Sequence, residues 1–406
     1  MALDRCVAMP ADAFRADVYG VRHLHTPAGD LPAGFADLLT SQSLDELFTG
    51  GALRTTSVRL VRDGREVPTR GVVEPGDVPA EPSFVDADHL RRALAAGNTL
   101  ILRSLHRYHP PVRRLAHQLA GELGCAVRVN AFVTPPRSTG VDLHYDVQDV
   151  FVLQIAGSKL WRLGTPPLPA PLPSQAWFDL PAARREQLRA ASEPLGSVLL
   201  RAGDTLYLPR GTMHAPRTDD ELSIHLTIAV SRLTGHDLLR RLVDAAADDA
   251  ALRAGVDLAE LEADPDTART TLTWIARRLA ATADEVDVAG LLWSARREAF
   301  RDLPAEPAPV LPAPVDAPAY RLRPGAQYAA TPDGDTLRLR VPGKQATLPV
   351  TTAPVFDALR RHGHLDPREL TATFGDDDAS RLITLLVDLD LVAPVVGARA
   401  ERSATA

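Results

Sequence analysis

The sequence predicts an α+β protein built around a small antiparallel β-barrel or sandwich, with helical segments before and after it. Three observations carry that expectation. Short strand patterns recur between residues 126 and 230, helical periodicity takes over between 235 and 300, and a proline-rich stretch then sets off a smaller group of elements. At 406 residues the chain is longer than one compact domain needs, which fits such a division.

Ahead of the barrel, SLDELFTG (43–50) carries an S-x-x-E box that opens a short helix. TTSVRLVRDGREV (55–67) alternates around Asp63-Gly64, the signature of a hairpin. A helical period runs from Val85 to Ala96, and TLILRSL (99–105) reads as a buried strand. PPVRRLAHQLAGELG (110–124) is a helix with proline at its start and glycine at its end. The barrel strands are AVRVNAFVT (126–134), DVFVLQIA (149–156), KLWRLG (159–164), GSVLLRA (196–202), DTLYLP (204–209) and LSIHLTIAV (222–230). Gly157-Ser158 reads as a two-residue hairpin turn, and TPPLPAPLP (165–173) as an insertion outside the sheet.

Beyond the barrel, GHDLLRRLVDAAADDAALRAG and DPDTARTTLTWIARRLAA have helical periodicity. DLPAEPAPVLPAPVDAPA (302–319) holds six prolines and is a semi-rigid linker. A strand (336–343) and helix patterns near 353–361, 366–373 and 377–389 then suggest a small winged-helix-like module.

Composition excludes several classes. A formal net charge of −7 argues against a general nucleic-acid binder. The last helix pattern, DDDASRLITLLVDLD (376–390), sets five aspartates against one arginine, the wrong sign for phosphate, so no direct DNA binding is expected. Cys6 and Cys125 are too few for a disulfide framework and too far apart for a CxxC site, which points to a reducing cytoplasm. The N-terminus lacks a secretory pattern, and no uncharged apolar run reaches the roughly 18 to 20 residues of a membrane span.

The chemistry concentrates in HYDVQDVFVLQIAGSKLW (144–161). A strand has a side-chain period of two, so His144 and Asp146 can project from one face. One imidazole and one carboxylate are two thirds of a facial metal site that leaves positions open, the arrangement of non-haem Fe(II) oxygenases. GDTLYLPRGTMHAP (203–216) offers the missing donor in His214, past a turn through Gly211. Nitrogen and oxygen ligands without thiolate favour iron or manganese over structural zinc. Of the 45 basic residues only Lys159 and Lys344 are lysines, and Lys159 lies within this stretch. An ammonium in a barrel mouth is costly unless an anion meets it. The far carboxylate of a metal-chelating dicarboxylate would do so, which suggests 2-oxoglutarate. His225, mid-strand in SIHLTIAV, competes as a ligand but reads better as a packed histidine beside the site. His106, His109, His117, His362 and His364 have no carboxylate at metal spacing.

VNAFVTPPRSTGVDLHYDVQDVFVLQIAGSKLWRL, GDTLYLPRGTMHAP and SIHLTIAV together resemble the JmjC-type cupin oxygenases of the ribosomal oxygenase group, over roughly Ala16 to Ser231. The resemblance implies a double-stranded β-helix (cupin or jelly-roll) core. It implies Fe(II) on His144, Asp146 and His214, the far carboxylate of 2-oxoglutarate on Lys159, and Asn130 in the same pocket. It further implies a catalytic domain over 1–234 with an N-terminal α/β elaboration, a helical dimerisation region over 235–301, and the linker over 302–319. A winged-helix-like domain over 320–398 completes the arrangement, and the protein is expected to be a cytoplasmic homodimer.

The activity implied is O2-dependent hydroxylation of a protein side chain, coupled to decarboxylation of 2-oxoglutarate to succinate, with an arginine or histidine of a ribosomal protein as first candidate. The chain departs from the family at Phe132, where members with known protein substrates commonly carry tyrosine. ADVYGVRHLHTP also lacks the tryptophan usual before the first strand. Two alternatives therefore stand: a tailoring hydroxylase of a biosynthetic peptide, and a cupin that binds metal without oxygenase chemistry.

Overall fold

Alternation along AVRVNAFVT decides how the first unit closes. Val127, Val129, Ala131 and Val133 are buried, whereas Arg128, Asn130 and Phe132 turn to the other face of the same strand and remain partly or fully accessible. The protein, described here by a computed structural model, is placed over residues 1–67, 84–307 and 317–395. It divides into two compact units, Met1–Arg232 and Leu233–Ala406.

The first unit holds eleven strands among its described residues: β1 (Leu24–Thr26), β2 (Val58–Arg62), β3 (Arg65–Val67), β4 (Thr99–Leu102), β5 (Ala126–Thr134), β6 (Asp149–Ala156), β7 (Ser158–Gly164), β8 (Pro194–Arg201), β9 (Thr205–Leu208), β10 (Met213–Arg217) and β11 (Ser223–Ser231). One sheet runs β1-β9-β6-β11-β5-β4-β2-β3, and a second runs β10-β7-β8. Isolated bridges at His144↔His214 and Thr139↔Arg217 extend the second sheet by the segment that carries the HxD pair. The sheets share a core in which Val150, Val152, Leu206 and Leu208 of the first meet Trp161, Leu163 and Leu200 of the second. Truncating one such leucine to alanine costs about 2–5 kcal/mol. The helix Pro110–Leu123 packs its Val112, Leu115 and Leu119 inward, with proline at its start and Gly124 in the left-handed conformation at its end.

Two expectations change and one sharpens. Gly157-Ser158 is a corner rather than a hairpin turn, because β6 and β7 belong to different sheets. Gly157 has φ +64°, and a Cβ there would lie 2.0 Å from the Leu222 carbonyl oxygen, so the chain switches sheets at the one residue that fits. His214, placed by the sequence only past the turn through Gly211, stands on a strand of its own, β10. The helix at Ser41–Thr49 starts two residues before the S-x-x-E box, because Thr40 caps it and exchanges hydrogen bonds with Ser43. β1 and β10 carry too few residues for a periodic signal.

In the second unit, helices span Gly235–Ala246, Leu258–Ala263, Pro265–Glu285 and Val288–Ala299. The sequence pattern marks the first and third, and the other two are further elements. Three strands, Ala329–Asp333, Thr336–Val341 and Lys344–Pro349, form an antiparallel sheet. A smaller sheet orders His364–Leu365, Tyr320–Leu322 and Val392–Pro394. Helices Ala353–His362, Pro367–Phe374 and Asp376–Asp388 pack around Phe356, Leu359, Leu382 and Leu386. The middle of the proline-rich stretch, 308–316, lies outside the described residues. No described helix is long and apolar enough to cross a membrane.

Candidate active site

The sequence-predicted donors come together. His144 and His214 exchange backbone hydrogen bonds, N to O at 3.1 and 2.8 Å, so their side chains emerge side by side with ring centroids 4.3 Å apart. Asp146 follows on the same face, its Oδ2 3.6 Å from His214 Nε2. One donor atom from each residue lies within 4.8 Å of the other two. The turn that delivers His214 is tied down, since Gly211 N donates to Asp146 O at 2.9 Å. Gly211 itself has φ +86°, which favours glycine.

Tautomers follow from the partners. His144 Nδ1 meets the Asp142 carbonyl at 2.7 Å, and His214 Nδ1 meets the Thr212 carbonyl at 2.9 Å. A carbonyl only accepts, so each Nδ1 carries the proton and each Nε2 keeps a lone pair for a cation. Burial, and then the neighbouring His214, push the His144 pKa down to about 4 against the pull of Asp146. His144 is therefore neutral at physiological pH, as a metal ligand must be.

Lys159 is 1 % exposed, with its Nζ donating to Thr134 Oγ1 at 2.7 Å. Among the described residues no carboxylate pairs with it, and burial alone lowers its pKa to about 7. It lines the same cavity of about 230 Å³ as His144, Asp146 and His214. Asn130 lines it too. Its Oδ1 accepts from Ser104 N at 2.9 Å, which fixes the amide and turns its nitrogen the other way.

Residues 103–238 match the family profile of the JmjC domain. This segment is a JmjC domain. Ribosomal oxygenase 2 of Mus musculus is 34% identical over 166 residues, covering 39% of this chain and 34% of that protein. The bifunctional lysine-specific demethylase and histidyl-hydroxylase NO66 of Drosophila mojavensis is 36% identical over 124 residues, covering 30% of this chain and 13% of that one. The chain thus spans about a third or less of these relatives' length. Among solved structures, Escherichia coli ribosomal oxygenase YcfD aligns with a TM-score of 0.54 at 16% identity, over 95% of this chain and 98% of that one. The structure of YcfD in complex with cobalt and 2-oxoglutarate aligns at 0.53 and 15% identity over similar shares, 95% and 98%. The likeness is one of fold: the first unit is a JmjC cupin-type barrel with added helices.

The JmjC domain also holds residues that the sequence pattern passed over. Thr134 shares a strand face with Asn130 and Phe132 at period two, and that spacing was the available signal. Phe178 had none, because the segment between β7 and β8 that carries it has no strand periodicity. Its ring lies 5.7 Å from His144. His225 stands outside the donor cluster. It is buried, stacked flat on Phe132 (4.8 Å, 8°) with the Trp161 edge against it (5.5 Å, 79°). Burial, and then the Lys159 charge, hold its pKa well below the ordinary value. His109 spends a ring nitrogen on the Leu38 carbonyl at 2.9 Å, and His106 Nδ1 takes Val129 N at 3.3 Å, so both are held by the backbone.

The cavity fits an iron site. It offers two lone-pair imidazole nitrogens and one carboxylate without thiolate, which suits a cation that keeps open positions. A buried ammonium with only a hydroxyl partner fits an anionic cosubstrate.

Proposed function

We propose that this protein is an Fe(II)- and 2-oxoglutarate-dependent dioxygenase that hydroxylates a side chain of a protein or peptide. The observation that carries the reading is Lys159. A cation buried without a counter-charge among the described residues, in one cavity with His144, Asp146 and His214, is accounted for when a dicarboxylate spans the two. His144, Asp146 and His214 would hold the metal, Lys159 with Thr134 would receive the far carboxylate, and Asn130 would offer its amide nitrogen to the cosubstrate. Bound Fe(II) supplies the open positions at which 2-oxoglutarate and O2 react, with succinate and CO2 as by-products. Trp161, Phe132 and Val150 keep the cavity wall apolar and limit water near the reacting atoms.

Adding Fe(II) and 2-oxoglutarate to the protein without oxygen should produce the weak visible charge-transfer band of a chelated keto acid. No band in the wild type would remove the oxygenase reading and favour a cupin that only binds metal. The substrate, for which ribosomal proteins are first candidates given the names of the relatives, is read by mass spectrometry as the gain of one oxygen atom.

The remaining organisation is inferred in the same terms. We assign 1–234 to catalysis, 235–301 to homodimerisation, 302–319 to a linker and 320–398 to a winged-helix-like domain that docks protein rather than DNA. Exposed Leu239, Val243, Leu272, Ile275 and Leu292 support the dimer, since solvated helices rarely leave so many large apolar side chains uncovered. A monomeric mass in light scattering would reject it. Three aspartates in the first turn of helix Asp376–Asp388 disfavour a phosphate backbone there. The two unpaired cysteines are consistent with the cytoplasm.

A further inference from the structure

The cavity has a second charged end. Arg59, Ile101, Phe132 and His225 occupy one cross-strand row of β2, β4, β5 and β11, and all four line the cavity. Arg103 lies two residues past Ile101, and Arg128 four before Phe132, so strand alternation brings both to the same face, and both line the cavity too. Lys159 bonds to Thr134, on the opposite side of Phe132 along β5. The buried lysine therefore marks the floor, and the three exposed arginines mark the mouth.

The lining residues include four cationic side chains, Arg59, Arg103, Arg128 and Lys159, and one carboxylate, Asp146. Under the function proposed above, Asp146 serves the metal and Lys159 the cosubstrate, which leaves Arg59 and Arg103. Glu66 answers Arg59, its Oε1 accepting from Arg59 Nε at 3.0 Å. That hydrogen bond first, with the Arg103 charge adding to it, holds the Glu66 carboxyl below its ordinary range. Among the described residues, one glutamate between Arg59 and Arg103 leaves a positive surplus. The chain as a whole carries −7, so the surplus is local and opposes the global field. A lysine- and arginine-rich segment would be repelled here, whereas a carboxylate matches the guanidinium fork. Near the metal donors, Phe178 is 59 % exposed, an uncovered aromatic surface beside His144.

We propose that the substrate segment is acidic, a peptide or protein loop whose aspartate or glutamate is received by Arg103 and Arg59 while the side chain to be hydroxylated passes Phe178. The proposal rests on the hydroxylase reading for what is done to the segment, and on the arginines for which segment binds.

The test separates the two. Metal-free full-length protein is titrated with two short fluorescent peptides of equal length, one Glu-rich and one Lys-rich, and binding is read by anisotropy. The Glu-rich peptide is expected to bind about tenfold more tightly at low salt, and less so at high salt. Arg103→Glu is expected to reverse the order, with Arg103→Gln falling between. Equal affinities, a preference for the Lys-rich peptide, no binding of the Glu-rich one, or an acid preference that Arg103→Glu leaves intact each overturn the proposal. The Fe(II)–2-oxoglutarate absorption band is read in parallel on the wild type. Its absence removes the hydroxylase reading while leaving the peptide comparison valid.

Discussion

Replacing Lys159 with methionine should make the cosubstrate-free protein more stable and the cosubstrate site useless. The side chain is 1 % exposed, and its ammonium has Thr134 Oγ1 as partner but no carboxylate among the described residues. Burial lowers its pKa from 10.5 to about 7. At ~1.36 kcal/mol per pH unit, that fall corresponds to about 4–5 kcal/mol of destabilisation as an upper bound. Its sign follows from proton counting. Between about pH 7 and 10.5 the unfolded chain holds the lysine proton and the folded chain does not, so wild-type stability rises with pH through that window. Below about pH 7 both states are charged and the full penalty applies.

Methionine keeps the stem and has no such slope. Urea unfolding of both metal-free proteins at about pH 6.5, 8 and 9.5 should therefore show the variant ahead at the low end, with the gap closing as pH rises. Adding 2-oxoglutarate and metal reverses the comparison, because losing the charged partner weakens cosubstrate binding by at least ~100-fold. A stability difference that is flat across the three pH values, or a variant that binds 2-oxoglutarate like wild type, would refute the reasoning.

Three further changes test the scaffold. His214→Ala should weaken binding of Co(II) at least ~100-fold, read from its visible absorption, since the remaining pair no longer forms a facial set. Gly157→Ala should cost about 2–4 kcal/mol in urea unfolding, because its Cβ meets the Leu222 carbonyl oxygen at 2.0 Å and its φ is +64°. Asp149→Ala should loosen metal binding although Asp149 touches no metal donor, whereas Asp149→Asn, which keeps an acceptor for Arg210 N, should retain most of it; equal effects from both would count against the mechanism.

Long barrel strands were legible because two signals agreed in them. AVRVNAFVT and DVFVLQIA are rich in β-branched and aromatic residues, and their structured bounds coincide with the pattern. The candidate metal donors were legible from the HxD spacing, although the strand expected to carry the pair is reduced to an isolated bridge at His144, and Asp146 lies outside any strand. Pairing between distant strands is a different matter. Gly157 looked like a turn, because a glycine between two strands fits a hairpin as well as a sheet-switching corner, and only the Leu222 backbone decides between them. His214 was found from its motif while its strand was missed, because β10 contains Pro216 and is held by pairing with β7. Phe178 and the arginine mouth depend on which strands become neighbours, and that information is non-local.

Two fully buried ionisable groups in the barrel show how it divides its tasks. Asp149 is 0 % exposed, and its carboxyl pKa is raised by burial but held down by Arg210 N–H and Arg232. Its Oδ1 accepts from Arg210 N at 2.8 Å, and Arg232 Nη1 approaches its Oδ2 at 3.6 Å while lying over the Tyr19 ring. That charge is met from within the protein, and its effect is to fix the Pro209-Arg210-Gly211 turn from which His214 departs. Lys159 is equally buried and is met by one hydroxyl. A buried charge paired with an opposite charge, as Asp149 Oδ2 is with Arg232 though without a hydrogen bond, holds its surroundings in place, whereas an unpaired one raises the energy of the empty site and lowers it again when the right ion arrives. On the function proposed above, the same barrel would use one buried charge to hold the candidate metal donors in place and the other to make cosubstrate binding selective for an anion.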